Sequence, residues 1–459
     1  LPNELLLEVW HKLPPLERAC VSQVCHQWRG LALSTPRLWT RVAFVSTVPS
    51  RWSPYPEPAS RKCNVYWPRN RTTNERFLQT VLLRSGALPL DVTIILGSQS
   101  ARMDNSWGGL RENSTRISRI HVQGAPNVHF QQFLRMCVGE LPALRTVTAG
   151  LEDDDEIFDH DPPARTFSGN PLPTLSQVHF GPGLPTHFVF IADLQVPSLQ
   201  ELTLTPFDFN IVLQALPACP NLSRLNLVMS RFSMRVSTAL RSFTQFADMV
   251  APVREICLKD IPNELDRFVL TSFNDARFRH IVLDYRGRPG ATDRSLPSPC
   301  AALARDIRVT LRLRESVYEL EVTDSAEGRR DVLFDRSAIP AALGLWDYYV
   351  ANKTVVAAAV DAIAWDYFAA GLKTPFDVPD LTIVVQHKSS EMEGISLAQF
   401  SRLRRLRIET LRSGIRFDAE MVHGLARSCA GELPLLFLPR SALFDDPEVL
   451  SRVGCRLEH

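Results

Sequence analysis

The sequence is short of most features that would define a function outright. Net charge is nearly absent: Lys and Arg total 51 against 50 Asp and Glu. There is then no global positive field of the kind that gathers nucleic acid or anionic membrane, and a specific protein partner fits better. Paired cysteines are missing. The nine cysteines, at 20, 25, 63, 137, 219, 257, 300, 429 and 455, are scattered and never spaced Cys-x-x-Cys, which argues for reduced thiols in the cytosol or nucleus. Apolar runs such as Val355 to Val360 fall far short of the roughly 18 residues of a membrane span. No charged-then-apolar leader opens the sequence, so neither secretion nor membrane attachment is expected. Glycine-rich phosphate loops, Gly-x-Ser-x-Gly elbows, His-Glu-x-x-His and dinucleotide fingerprints are absent too. The expectation is a non-enzyme without cofactor or metal, an active site assembled from distant residues being the one enzymatic form left open.

What is present starts with length. At 459 residues the chain exceeds what one hydrophobic core usually serves, so several domains or a repeat array is expected. The first forty residues carry three short helical patterns almost without loops. Pro2 suits an opening turn and Leu5, Leu6, Val9 and Trp10 follow as a stripe. A second pattern starts at Pro15 with Leu16, Ala19, Cys20 and Val24, and a third carries Trp28, Leu31 and Ala32 before Ser34 and Pro36 break it. Leu1, Leu7, Leu13, Val21 and Leu33 lie off the stripes and are expected at least partly exposed, the mark of an interface on a unit this small. Amphipathicity names no partner, and a cap on the rest of the chain would use the same faces.

The residues themselves go further. Leu1-Pro2-Asn3-Glu4-Leu5-Leu6, Leu13-Pro14, Leu16, Val24-Cys25, Trp28-Arg29, Leu31 and Pro36-Arg37-Leu38-Trp39 resemble the F-box pattern in order and spacing, from Leu1 to about Val42. Pro14-Pro15 departs from it, since the family often has one proline beside a small or acidic residue; two prolines stiffen the start of the second helix. The resemblance implies docking on the Skp-type adaptor of a Skp–cullin–F-box ubiquitin ligase, with no chemistry in the F-box itself. Carried over by position, the interface residues are Leu1, Pro2, Leu5, Leu13, Pro15, Leu16, Val24, Cys25 and Trp28. Trp28 is equally suited to close the three-helix unit. Cys25 and His26 have no second Cys/His pair at ligand spacing, which speaks against a metal there.

Residues 50–70, with Pro54, Pro56, Pro58 and Pro68, read as an extended connection. Phe77, Leu78, Val81 and Leu82 then form a helix face ending near Gly86, and Leu90 to Leu96 a strand. An apolar-x-x-apolar-x-apolar unit recurs at Ile117/Ile120/Val122, Leu144/Val147/Ala149, Leu175/Val178/Phe180, Leu199/Leu202/Leu204, Leu222/Leu225/Leu227, Val253/Ile256/Leu258 and Phe278/Ile281/Leu283. Starts lie 23 to 31 residues apart, near the roughly 20–29 of leucine-rich repeats, and a Pro-x-Leu lead-in recurs at Pro142, Pro173, Pro197 and Pro220. One short strand plus a return segment cannot bury its apolar face alone, so neighbours stack. Alternate strand positions then face outward on a concave sheet: Arg119 and His121, Thr146 and Thr148, Gln177 and His179, Glu201 and Thr203, Arg224 and Asn226, Glu255 and Cys257, and His280. Gln177, His179, Glu201, Thr203, Arg224, Asn226 and Glu255 are the candidates for contact with a target, a solvated polar face being the alternative.

Past about residue 290 the array turns irregular. Ile307 to Leu313, Val317 to Val322 and Val332 to Phe334 look like an antiparallel excursion, Val355 to Ala370 like one helix stopped by Gly371, and rungs resume at Leu381 to Val385, Leu403 to Ile408 and Leu433 to Leu438. An independent domain at about 290–370 is the alternative. The acidic run Glu152 to Glu156 lacks the glycine and closing glutamate of a calcium loop, and the arginines from Arg402 to Arg416 lack interleaved aromatic platforms. The expected architecture is α/β: an F-box at 1–42, a linker at 43–72, and an irregular leucine-rich-repeat solenoid at 73–459, a curved sheet with helices or loops on its outer face and an insertion at about 290–370. Such a chain resembles the large fungal families of F-box-like proteins. Its expected partners are a Skp-type adaptor, through it a cullin, and a target protein; a module that binds the adaptor without a cullin is the alternative.

Overall fold

A computed structural model describes residues 2–13, 15–45, 71–95, 109–123, 141–150, 172–181, 196–205, 216–228, 253–259, 278–284, 300, 302–314, 316–335, 353–371, 378–412, 415–429, 435–438 and 443–444. The acidic run at 152–156 and most of the expected linker lie outside them. The chain divides into two compact units, Leu1–Ser233 and Met234–His459.

The first unit opens with α1 (Asn3–Lys12), α2 (Pro15–Val21) and α3 (His26–Leu33), then a 3-10 turn at Pro36–Trp39. Glu4 in the first turn of α1 and Lys12 in its last match the helix dipole. Leu13, extended at φ −75 and ψ 148, ends the helix as the residue before a proline must. At α3 the Cys25 Sγ accepts the Trp28 N–H at 3.4 Å and caps the helix. The four-residue stripe expected on α1 splits in two. Leu6 and Trp10 go to the interior while Leu5 and Val9 face out, because a helix this short has one narrow buried seam and i, i+4 pairs on adjacent rows cannot share it.

At the centre of the three helices sits a charge. Arg18, 2 % exposed, donates from Nε to the Leu13 carbonyl at 2.8 Å, from Nη1 to Leu38 at 2.7 Å and from Nη2 to His11 at 2.8 Å. One planar guanidinium thereby ties α2 to the end of α1 and to the 3-10 turn through three carbonyls. Burial, with help from Arg41, pulls it down to about 10, still charged at neutral pH. The Trp39 Nε1–H donates to the Ala32 carbonyl at 2.8 Å, and Arg84 stacks over the Trp39 ring at 4.6 Å.

Strand β1 (Arg41–Val45) crosses the 42/43 limit expected between head and linker, and α4 (Arg71–Arg84) begins before residue 73. β2 (Leu90–Ile95), β3 (Ile117–Gln123), β4 (Thr146–Gly150), β5 (Gln177–Phe180), β6 (Glu201–Leu204) and β7 (Arg224–Val228) follow, pairing in chain order, all parallel. The Pro-x-Leu lead-in is a turn. The leucine N–H bonds the carbonyl three residues back: Leu144 to Leu141 at 3.2 Å, Leu175 to Leu172 at 3.3 Å, Leu199 to Val196 at 3.1 Å and Leu222 to Cys219 at 3.1 Å. Proline's fixed φ suits the second position of such a turn. The first position is buried as well, as Leu141, Leu172, Val196 and Cys219, so the repeat has a fourth core position that spacing analysis missed. Side chains of the turns tie rung to rung: Thr174 Oγ1 donates to the Pro142 carbonyl at 2.7 Å, Ser198 Oγ to Leu175 at 2.9 Å and Asn221 Nδ2 to Pro197 at 2.6 Å.

The second unit contains β8 (Glu255–Lys259), β9 (His280–Asp284), β10 (Asp306–Arg314), β11 (Val317–Asp324), β12 (Arg329–Asp335), β13 (Thr354–Asp361), β14 (Asp380–Val385), β15 (Arg405–Thr410) and β17 (Leu435–Phe437), in the sheet order β8-β9-β12-β11-β10-β13-β14-β15-β17. Strands β10, β11 and β12 form an antiparallel meander laid within the sheet, β12 parallel to β9 and β10 parallel to β13. The excursion thus continues the hydrogen-bonded sheet on both sides. The helix expected over 355–370 is half wrong: Thr354–Asp361 is a strand and only Trp365–Gly371 (α5) is helical. An unbroken apolar run reads as helix or as strand, and the parallel neighbours on each side decide for the strand. Also missed was α6 (Ala419–Arg427), capped by Asp418 and burying Ala419, Val422, Leu425 and Ala426. A short pair, β16 (Arg416–Phe417) with β18 (Leu443–Phe444), lies beside it in the chain.

All three inward positions of the seven repeats, from Ile117/Ile120/Val122 to Phe278/Ile281/Leu283, are buried. Each such side chain contributes roughly 1.5–3 kcal/mol of hydrophobic burial, most of it offset by chain entropy.

Candidate partner-binding surfaces

The head exposes four large apolar side chains. Leu5 is 53 % exposed, Val9 58 %, Val24 64 % and Leu33 46 %. Of the expected interface residues, Pro2, Leu5, Val24 and Cys25 are exposed, and Leu13 and Trp28 half-buried. Leu1 and the side chains of Pro15 and Leu16 lie outside the described residues. Trp28 closes the three-helix unit: its ring meets Trp10 edge-on at 5.2 Å. Val9, assigned from the sequence to the buried stripe, is the residue that reasoning missed. What could have found it is the spacing, since Val9 is four residues after Leu5 and pairs with it rather than with Leu6.

The second surface is the polar face of the first unit's sheet, where parallel pairing sets side chains in rows. One row runs Arg119, Thr146, Gln177, Glu201, Arg224; the other runs His121, Thr148, His179, Thr203, Asn226. They are knit together. Thr146 Oγ1 donates to Gln177 Oε1 at 3.3 Å, and Gln177 Nε2 to Glu201 Oε2 at 3.3 Å. Asn226 Nδ2 reaches Thr203 Oγ1 at 3.0 Å and Glu201 Oε1 at 3.4 Å, while Arg224 stands 3.8 Å from Glu201 and His179 Nδ1 2.9 Å from Thr203 Oγ1. Burial lowers the His121 pKa against the opposing charge of Asp91, so its imidazole is neutral at pH 7.

Glu255 belongs to the second unit and not to this network. There it accepts from His280 Nδ1 at 3.1 Å, and His280 Nε2 meets Asp331 Oδ2 at 2.8 Å. Asp331 also takes Arg329 Nε at 2.8 Å; Arg329 reaches Glu321 at 3.4 Å and Arg312 reaches Glu321 at 3.5 Å. Burial opposes ionisation of Asp331, but its bonds to His280 and Arg329 outweigh it and hold the carboxyl below the usual range. Among the described residues no cluster of His, Cys, Asp and Glu is arranged to hold a metal, and no helix is long and apolar enough to cross a membrane. Burial pushes the Cys219 and Cys300 thiols up to about 12, which leaves them unreactive.

Residues 1–45 match the F-box-like family model, so the chain carries an F-box-like motif at its N-terminal end. No curated protein matches the sequence. Among solved structures, the crystal structure of the Rad7 and Elc1 complex in yeast contains a chain that is 10 % identical, over 97 % of this chain and 98 % of that one, with a TM-score of 0.26, a value too low to define a common fold.

Proposed function

We propose that the chain is a substrate-recruiting subunit of a Skp–cullin–F-box ubiquitin ligase. The observation that carries this reading is the coincidence of the F-box-like match at 1–45 with the exposed Leu5, Val9, Val24 and Leu33. The head, with Leu1, Pro2, Leu5, Leu13, Pro15, Leu16, Val24, Cys25 and Trp28, docks on a Skp-type adaptor. The leucine-rich-repeat-like region from residue 73 onward offers its polar face, Gln177, His179, Glu201, Thr203, Arg224, Asn226 and Glu255 included, to a target protein in the cytosol or nucleus. The chain performs no chemistry itself. Its contribution is proximity, holding the target where a ubiquitin-charged enzyme reaches its lysines.

The test is capture from a eukaryotic lysate supplemented with Skp-type adaptor and cullin, by the full chain and by a version lacking residues 1–45. Recovery of both partners by the full chain alone supports a ligase. Adaptor without cullin reduces the reading to an adaptor-binding module, and recovery of neither overturns it.

A further inference from the structure

The repeat sheet of the first unit is supplied with cations but not with amines. Of the 51 lysines and arginines in the chain only six are lysine: Lys12, Lys62, Lys259, Lys353, Lys373 and Lys388. None stands from residue 63 to residue 258, although lysine is among the commonest residues of soluble domains. Strands β2 to β7 and everything that connects them are therefore built without one. Positive charge is not what that stretch lacks. Arg76, Arg111, Arg119, Arg145 and Arg224 are all exposed in it, and Arg224 pairs with Glu201. The lysines elsewhere are placed unevenly. Lys12 is exposed in the last turn of α1, in the head. Lys259 stands 4.0 Å from Asp284, and Lys353 donates to the Leu303 carbonyl. Lys388 is exposed, its N–H held by Glu391. Lys62 and Lys373 lie outside the described residues.

The two cations differ in what they can do in ubiquitin transfer. A neutral lysine Nζ attacks the thioester carbonyl that joins ubiquitin to its carrier enzyme. The amide C–N bond forms as the C–S bond breaks, and the amine's proton passes to the departing thiolate by way of water. Arginine cannot take this part, because its guanidinium stays protonated and its nitrogen lone pairs are delocalised. A surface that keeps guanidinium and drops ammonium retains its charge and its ion pairs and offers the reaction no nucleophile. Proximity, by contrast, is indiscriminate: a charged enzyme brought to a docked target is also close to the surface that holds the target.

We infer that the sheet from β2 to β7 is a recruiting surface that cannot accept the ubiquitin it helps to transfer, so that a target docked there supplies the nearest amines. The inference rests on the reading of the chain as a ligase subunit and adds its regulation. Self-modification, which would remove the recruiter together with its target, is confined to lysines outside those strands.

The experiment uses the full chain reconstituted with a Skp-type adaptor, a cullin ligase core, the activating and conjugating enzymes, ubiquitin and ATP, with no target added. Self-modification is followed as the higher-mass forms of the chain and mapped by the diglycine remnant that trypsin leaves on modified lysines. Two variants are compared with the unmodified chain, Arg119→Lys on the polar face of β3 and Arg145→Lys just before β4. Each keeps the charge of an exposed position and adds an amine. The unmodified chain should be modified slowly, and each variant should gain at least about fivefold in rate, with a remnant at the new lysine and the unfolding midpoint unchanged. Variants modified no faster than the unmodified chain overturn the inference, since the lack of amines on that surface then changes nothing. Capture of adaptor and cullin is measured on the same preparations. Capture intact beside variants that gain nothing strikes the inference and leaves the ligase reading standing; capture lost strikes the ligase reading, and the inference falls with it.

Discussion

The two units run polar side chains across the same kind of parallel lattice and reach opposite chemistries. In the first, Thr146 bonds Gln177, Thr203 bonds His179 and Asn226, and Glu201 joins Gln177, Asn226 and Arg224, so amides and hydroxyls carry most of the network. In the second, Glu255, His280, Asp331, Arg329, Glu321 and Arg312 form a chain in which carboxylates alternate with nitrogen-bearing side chains. The difference follows from topology. Each strand of the first unit is a separate repeat, and mostly short polar side chains stack at the fixed rung spacing at a lower ordering cost than long charged ones. The meander of the second sets β11 between β10 and β12, and β12 beside β9, and the ion pairs run diagonally across those neighbours, Arg312 and Arg329 to Glu321 and His280 to Asp331.

Beneath the polar faces the units share one device, and breaking it gives the largest expected effect. Arg18 in the first and Arg330 in the second are buried arginines whose N–H groups serve main-chain carbonyls, Arg330 those of Phe278 and Arg329 at 3.1 and 2.9 Å. Arg18→Ala and Arg330→Ala should each cost about 3–4 kcal/mol in urea unfolding, from stranded carbonyls and the void together. A loss under about 1 kcal/mol in either would show that water replaces the arginine there. Next in size, Leu5→Ala and Val9→Asp should leave the unfolding midpoint in place and weaken adaptor capture by about tenfold or more, the mark of an apolar contact made only with the partner.

The electrostatic contrast has its own test. The Asp331 carboxyl is held below the usual range, so its contribution is fully present above the unfolded carboxylate pKa, about 3.9, and is lost as pH falls through the lower folded value. Asp331→Asn should therefore cost on the order of 1 kcal/mol at pH 6 and progressively less as the pH drops below 4, followed by urea midpoints. A cost that does not change with pH would make the residue a spacer. Thr203→Val, which removes the hydroxyl shared by His179 and Asn226, should be smallest, about 0.5 kcal/mol. An effect as large as that of Asp331→Asn would erase the distinction between the neutral and the charged face.

Much of this was legible beforehand. The serial apolar triplets located seven strands because burial of one face demands a period of two, and the Pro-x-Leu lead-ins located their turns because proline's φ suits them. Legibility failed where one pattern serves two structures. Val355 to Val360 is apolar enough for either a helix or a covered strand, and only β10 and β14 on its flanks settle it. It failed again where a polar residue does core work, since Arg18 and Arg330 look like surface residues until the carbonyls around them are seen. In the head, the F-box-like spacing marked Leu5, Val24 and Trp28, but the division of α1 into an inner seam at Leu6 and Trp10 and an outer one at Leu5 and Val9 came from packing.

By itself, then, the chain's order of residues determined the helical head, the repeat period, the inward triplets and the absence of any local catalytic motif, because each depends on chemistry within a few neighbours. The tertiary structure decided what depends on neighbours tens of residues away: the meander within the second sheet and the two buried arginines. Sheet register converts distant stretches into adjacent rows, and no local pattern carries that information.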